Sequence, residues 1–152
     1  FGALDFAPNT DESWCEVSPA WVVATAAGVI TRADNNIVVI SLVDESQQFT
    51  GWEIFYMHIA KEGMAPLGTT VLLDDPIGHP SCEGGTSSGT HVHITRKYRG
   101  EWISGSDPFP LVLSGWTAYP GSKEYGGTLE RNGYIVYAIP SATSRSMTQI
   151  FR

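Results

Sequence analysis

Two histidines, His91 and His93, stand two residues apart in "GTHVHITRKY", a run whose alternation reads as a β-strand. Side chains alternate across a strand, so His91, His93 and Thr95 share one face while Val92 and Ile94 point toward a core. At a rise of about 3.3 Å per residue their bases lie roughly 7 Å apart. One imidazole could hold a metal while the other serves what the metal binds. The plainer alternative is a polar strand face turned to solvent. Asp5 in "GALDFAP" and His58 in "FYMHIA" also interrupt apolar, strand-like runs, where a polar group without a partner is costly. Partnering one another is the economical solution. Zinc accepts imidazole nitrogen and carboxylate oxygen, and a catalytic zinc keeps three protein ligands plus a water. Asp and His ligands from separate strands, with spare imidazoles beside them, would form a hydrolytic site.

The elements that must position these residues read as all-β. Sixteen glycines and nine prolines punctuate short β-branched and aromatic runs. "WVVATAAGVITRA", a tight turn at "DNN", and "NIVVISLVDE" read as strand, turn, strand. "GWEIFYMHIA" alternates as a further strand, and the Gly and Pro of "KEGMAPLGTT" break it before "TVLLDD". "THVHITRKY" and "EWISG" flank Arg99-Gly100 as a hairpin. No segment sustains a 3.6-residue apolar period over three turns. Beyond about Asp107 the chain changes character. "DPFPLVLSGW" is interrupted by proline, and "YGGTLERNGYIVYAIP" reads as a hairpin turning at Asn132-Gly133. We therefore expect a core over 1–106 and a C-terminal β extension over 107–152, packed on the same domain.

Other candidates carry less. His79 in "IGHPSC" sits in a proline-flanked turn and reads as exposed, not as a ligand. Asp74 and Asp75 are adjacent and would face opposite ways in a strand, so they read as a strand end and turn. Trp21 and Trp52 read as core. "GGTSSG" lacks the lysine of a phosphate loop.

Composition narrows the function classes. At 152 residues the chain can bury a real core, and 42% hydrophobic against 16% charged residues marks a folded chain. Nine basic against sixteen acidic residues give a net charge of −7, which argues against nucleic acid and anionic membrane as partners. No apolar run approaches the roughly 20 residues of a membrane span. Cys15 and Cys82 are the two cysteines; without C-x-x-C spacing they make no structural zinc site. They suit either one disulfide in an exported protein or two separate buried thiols. We expect the disulfide, which closes a loop worth roughly 4 kcal/mol.

"ALDFAP", "YMHIA" and "SCEGGTSSGTHVHI" together resemble the lysostaphin-like (M23) zinc endopeptidases, which cut cell-wall peptides. The resemblance is nearest to the secreted, staphylolysin-like type and covers roughly the stretch up to the "EWIS" run. It implies a lysostaphin-like barrel-sandwich core of mainly antiparallel sheets, a Zn2+ cofactor, and a peptidoglycan or Gly-rich peptide substrate. Carried over, Asp5 and His93 are implied as zinc ligands, with His58 and His91 as the catalytic pair. His91 is then the first choice for general base and His58 for the hydrogen bond to the oxyanion, although the two roles are exchangeable. The shorter family pattern places its first histidine ligand four residues before the aspartate, where Phe1 stands. Staphylolysin-like members carry it further upstream, so the third ligand is expected upstream of Phe1, on a retained N-terminal segment. Two readings from other classes stay open. One is an inactive binding or regulatory module that has lost the metal. The other is an assembly protein whose "YGGTLERNGYIVYA" tail adds a strand to a neighbour.

Overall fold

The computed structural model describes residues 2–8, 15–105, 108–123 and 125–138. All regular structure among them is β, as the sequence implies, so no helix long and apolar enough to cross a membrane is present among these residues. The described residues divide into two compact units, one spanning Ala3–Trp102 and the other comprising Gly2 with the described residues between Ile103 and Ala138.

The larger unit is built on a seven-stranded antiparallel sheet. Its strands are β1 (Leu4–Phe6), β3 (Gly28–Asp34), β4 (Ile37–Val43), β5 (Phe49–Met57), β6 (Thr70–Val71), β8 (Val92–Tyr98) and β9 (Glu101–Trp102). The order is β1-β8-β5-β4-β3-β6, with β9 also on β8. β2 (Val22–Val23) and β7 (Pro76–Gly78) form a separate two-stranded sheet. Period-two alternation decides which side chains enter the core. Ile30, Ile40 and Ile54 pair in one row and Val38, Tyr56 and Ile94 in another. All six are buried, together with Ile59, Val71, Ile77 and Val22. The Tyr56 hydroxyl, the one polar tip in this cluster of aliphatics, meets Thr25, accepting from its backbone N–H at 2.9 Å and sharing a 2.7 Å bond with its Oγ1.

Tight turns hold the register. Asn35 and Asn36 link β3 to β4 with φ of 48° and 62°, and Arg99 and Gly100 link β8 to β9 with φ of 49° and 86°. Two successive positive φ values give the type I′ geometry whose twist matches antiparallel strands, and Asn tolerates it better than most side chains. The run "WVVATAAGVITRA" is not the single strand its composition suggests. It breaks after Val23 and resumes at Gly28, because the backbone of Ala24 bonds to Asp74 and Asp75 instead of a sheet neighbour. Trp21 is likewise not core: it is 55% exposed and lies against the His79 ring at 3.9 Å between centroids. Asp74 and Asp75 do form a turn, closed by Asp75 N–H donating to the Leu72 carbonyl. Cys15 and Cys82 form a disulfide across a separation of 67 residues.

The smaller unit contains a four-stranded antiparallel meander of β10 (Val112–Leu113), β11 (Trp116–Pro120), β12 (Gly127–Arg131) and β13 (Tyr134–Tyr137). The expected hairpin turns at Asn132-Gly133, with φ of 49° and 82°. The Arg131 guanidinium lies 5.7 Å from the Trp116 ring centroid and donates to the Ser114 carbonyl.

Candidate active site

Sheet register brings the four singled-out residues together. Ile37, Met57, His93 and Asp5 stand in one row across β4, β5, β8 and β1, on the face opposite the Tyr56 core. Directly opposed residues in an antiparallel pair hold their Cβ atoms about 5 Å apart, so Asp5 and His93 meet although 88 residues separate them. His93 Nδ1–H donates to Asp5 Oδ1 at 2.7 Å. His91 enters from one residue before β8, where it bridges to Ser81, and its Nε2 lies 3.9 Å from the same carboxylate oxygen. His58 follows β5, and its ring centroid is 4.4 Å from that of His91.

The imidazoles are held in defined orientations. His58 Nδ1 faces the Glu83 carbonyl at 2.9 Å and His91 Nδ1 faces the Gly89 carbonyl at 2.8 Å. A carbonyl only accepts, so each Nδ1 carries a proton, and in the neutral ring Nε2 is then the lone-pair nitrogen. Ser87 supports the second contact, its hydroxyl donating to Gly89 O and lying 3.3 Å from His91 Nδ1. His58 adopts a φ of 61°, a left-handed conformation uncommon for a non-glycine residue and often found where structure serves function.

Electrostatics separate the groups further. Burial, which leaves His58 6% exposed, pushes its pKa below the ordinary histidine value. The Glu83 carbonyl opposes that shift, while neighbouring His91 and His93 reinforce it. For Asp5, burial would raise the pKa, but the His93 hydrogen bond and the three nearby imidazoles outweigh it and hold the carboxyl below its usual range. Asp5 is therefore an anion beside basic nitrogens, a donor set that suits zinc. Asp5 and His93 bring one carboxylate and one imidazole together, and among the described residues no cluster of three or more His, Cys, Asp or Glu side chains is arranged to hold a metal ion.

His79 does not join the group. Its Nδ1 donates to the Ala20 carbonyl and its ring packs at a tilt of 37° against Trp21. A hollow of about 260 Å³ lined by Phe49, Trp52, Glu53 and Arg99 with Thr31 and Ser41 contains none of the four residues either. Missed at the sequence level were Glu83, Gly89, Ser81 and Ser87, which act through backbone carbonyls and small hydroxyls. The Gly- and Ser-rich run before His91 marked the place, but a carbonyl acceptor has no residue-type signature.

No family model matches the chain, and neither does any curated protein. Solved structures do. Pseudoalterin, described as a novel M23 metalloprotease from the deep sea, is 27% identical, with a TM-score of 0.70 over 90% of this chain and 79% of its own. The catalytic domain of the antimicrobial peptidase lysostaphin from Staphylococcus simulans is 22% identical, with a TM-score of 0.48 over 64% of this chain and 66% of its own. LytU is 22% identical, with a TM-score of 0.45 over 66% and 72%. On the strength of the first of these, the all-β, antiparallel architecture is that of the lysostaphin-like M23 metalloproteases.

Proposed function

We propose that the chain is a secreted bacterial zinc endopeptidase that hydrolyses peptide bonds in peptidoglycan cross-bridges or Gly-rich peptides, of the staphylolysin-like subtype. The observation that carries this reading is the convergence of Asp5, His93, His91 and His58 on a fold similar over 90% of the chain to a metalloprotease. The disulfide suits an oxidising compartment.

Asp5 and His93 are the zinc ligands in this reading, with the third contributed from upstream of Phe1. When bound, zinc lowers the pKa of a coordinated water toward about 7 and polarises the scissile carbonyl. The remaining work falls to the two imidazoles. His58 is held neutral by burial with Nε2 as its lone-pair nitrogen, which makes it the proton acceptor. His91, whose Nε2 lies 3.9 Å from the Asp5 carboxylate, is then the donor to the developing oxyanion in its protonated form, in which Nε2 as well as Nδ1 carries a proton. This is the exchanged version of the roles that the sequence resemblance suggested first.

In the full-length protein, Asp5→Ala is expected to release zinc. His58→Ala and His91→Ala are each expected to keep zinc and to lower hydrolysis of a Gly-rich peptide by about 10²–10⁴-fold. Metal content by mass spectrometry and peptide cleavage measured on the same samples check both. Full activity in either histidine variant would sink the assignment. The two-ligand set among the described residues is the observation that favours the rival, a metal-free binding module. Full-length protein that holds no zinc and binds a peptidoglycan fragment without cleaving it would establish that rival.

A further inference from the structure

His58 is gripped from two sides by groups with no part in the chemistry. On one side its Nδ1–H donates to the Glu83 carbonyl at 2.9 Å. On the other, its own carbonyl accepts from both the backbone N–H and the hydroxyl of Ser81, at 2.8 and 2.9 Å. The two sides are tied together by Asn36, in the turn between β3 and β4. Asn36 Nδ2 donates to the Ile59 carbonyl at 2.9 Å and to Glu83 Oε2 at 2.6 Å, while the Asn36 carbonyl accepts from Ile59 N–H at 3.1 Å. The Glu83 carboxylate also accepts from Lys61 N–H at 3.2 Å. Asn36 and Glu83 thus span 47 residues to fix both the segment that follows His58 and the carbonyl that its ring addresses.

We propose that Asn36 and Glu83 form a side-chain clamp that positions His58, making both of them positioning residues for hydrolysis. The proposal rests on the endopeptidase reading for its kinetic consequence. The physical logic is that a backbone carbonyl selects the Nδ1–H tautomer only while the loop bearing it stays within hydrogen-bond reach of the ring. Glu83 belongs to a loop of "SCEGGTSSG", rich in residues that restrain the backbone little. The Cys82 disulfide and the Glu83 N–H bond to Ser81 Oγ at 3.0 Å hold the start of this loop, and the carboxylate adds a further restraint by reaching back to Asn36 and Lys61. Release of the clamp frees the carbonyl to drift, and Nε2 of His58 is then protonated in part of the population.

Three variants test it. Asn36→Gly suits the backbone, because φ there is 62°, and removes only the side-chain bonds. Glu83→Ala removes the carboxylate, and Glu83→Gln restores an acceptor in the same place. The first readout is the tautomer of His58 by 15N–1H correlation spectroscopy on histidine-labelled full-length protein; the second is the split between kcat and KM on a Gly-rich peptide. Expected are a shift of His58 away from pure Nδ1–H in Asn36→Gly and Glu83→Ala, and a kcat lowered about tenfold with KM changed less than twofold. Glu83→Gln should restore both. A His58 that stays wholly Nδ1–H in the folded Asn36→Gly and Glu83→Ala proteins overturns the proposal, whatever their rates. If the parent protein proves inactive, the tautomer shift still decides the clamp, while the endopeptidase reading fails separately.

Discussion

At the scale of single residues, the consequence that solution measurements reach most directly is the neutrality of His58. In the unfolded chain this histidine takes up a proton near its ordinary pKa of about 6.5, and in the folded chain only at lower pH, because burial disfavours the charged ring. The unfolded state therefore binds more protons between those two values, so stability rises with pH across that window and is lost as pH falls through it. The fold should be undiminished by this group above about pH 6.5 and should weaken as pH drops toward the depressed folded value. His58→Gln, which cannot titrate, should flatten that part of the curve. Denaturant melts between pH 7 and pH 5 measure it, and an unchanged slope in the variant would remove His58 as the cause. Asp5 works in a separate window. Its depressed pKa contributes stability above the ordinary carboxylate value, and this is lost only as pH falls through the lower folded value. The identities of Asp5, His58, His91 and His93 were all legible in the sequence, since each is a polar intruder in an apolar run. Their ring orientations were not, because these depend on carbonyls of Glu83 and Gly89 that any residue could have supplied.

At the scale of strands and turns, two sites invite measurement. Gly28 opens β3 with backbone neighbours on both sides, and a Cβ added there would run into the Ser41 carbonyl oxygen and the Ile40 side chain. Gly28→Ala should therefore cost about 1–3 kcal/mol of unfolding free energy, read from denaturant titration; a loss within about 0.5 kcal/mol would mean the β3–β4 pair shifts freely. The Cys15–Cys82 link closes 67 residues, and Cys82→Ser should destabilise the protein by roughly 4 kcal/mol on the chain-entropy model. Little change in the melt would indicate that the unfolded chain is already compact around this loop. The hairpins at Asn35-Asn36, Arg99-Gly100 and Asn132-Gly133 were legible because two-residue turns with positive φ demand few residue types. The split of "WVVATAAGVITRA" was not. Ala24 leaves the sheet to bond with Asp74 and Asp75, fifty residues further along, and no local pattern records so distant a preference.

At the scale of the whole molecule, the strand order β1-β8-β5-β4-β3-β6 places the first strand next to one formed 88 residues later. Non-local pairing of this kind slows folding, because loop closure is costly before any contact rewards it. Refolding with the disulfide intact should take milliseconds to seconds, and the last events should include β1 docking. Stopped-flow refolding followed by rapid zinc challenge checks this: metal uptake should lag the main fluorescence change, and simultaneous recovery would place β1 in the early nucleus. β1 is also three residues long and shares the outer edge of β8 with β9. Since it carries Asp5, the proposed metal site exists only in the fraction of molecules with that strand seated. Apparent affinity for the ion is the intrinsic affinity scaled by this fraction. A competing extended peptide that occupied the β1 berth would thus act as a chelator in reverse, emptying the centre by taking away a ligand rather than the metal.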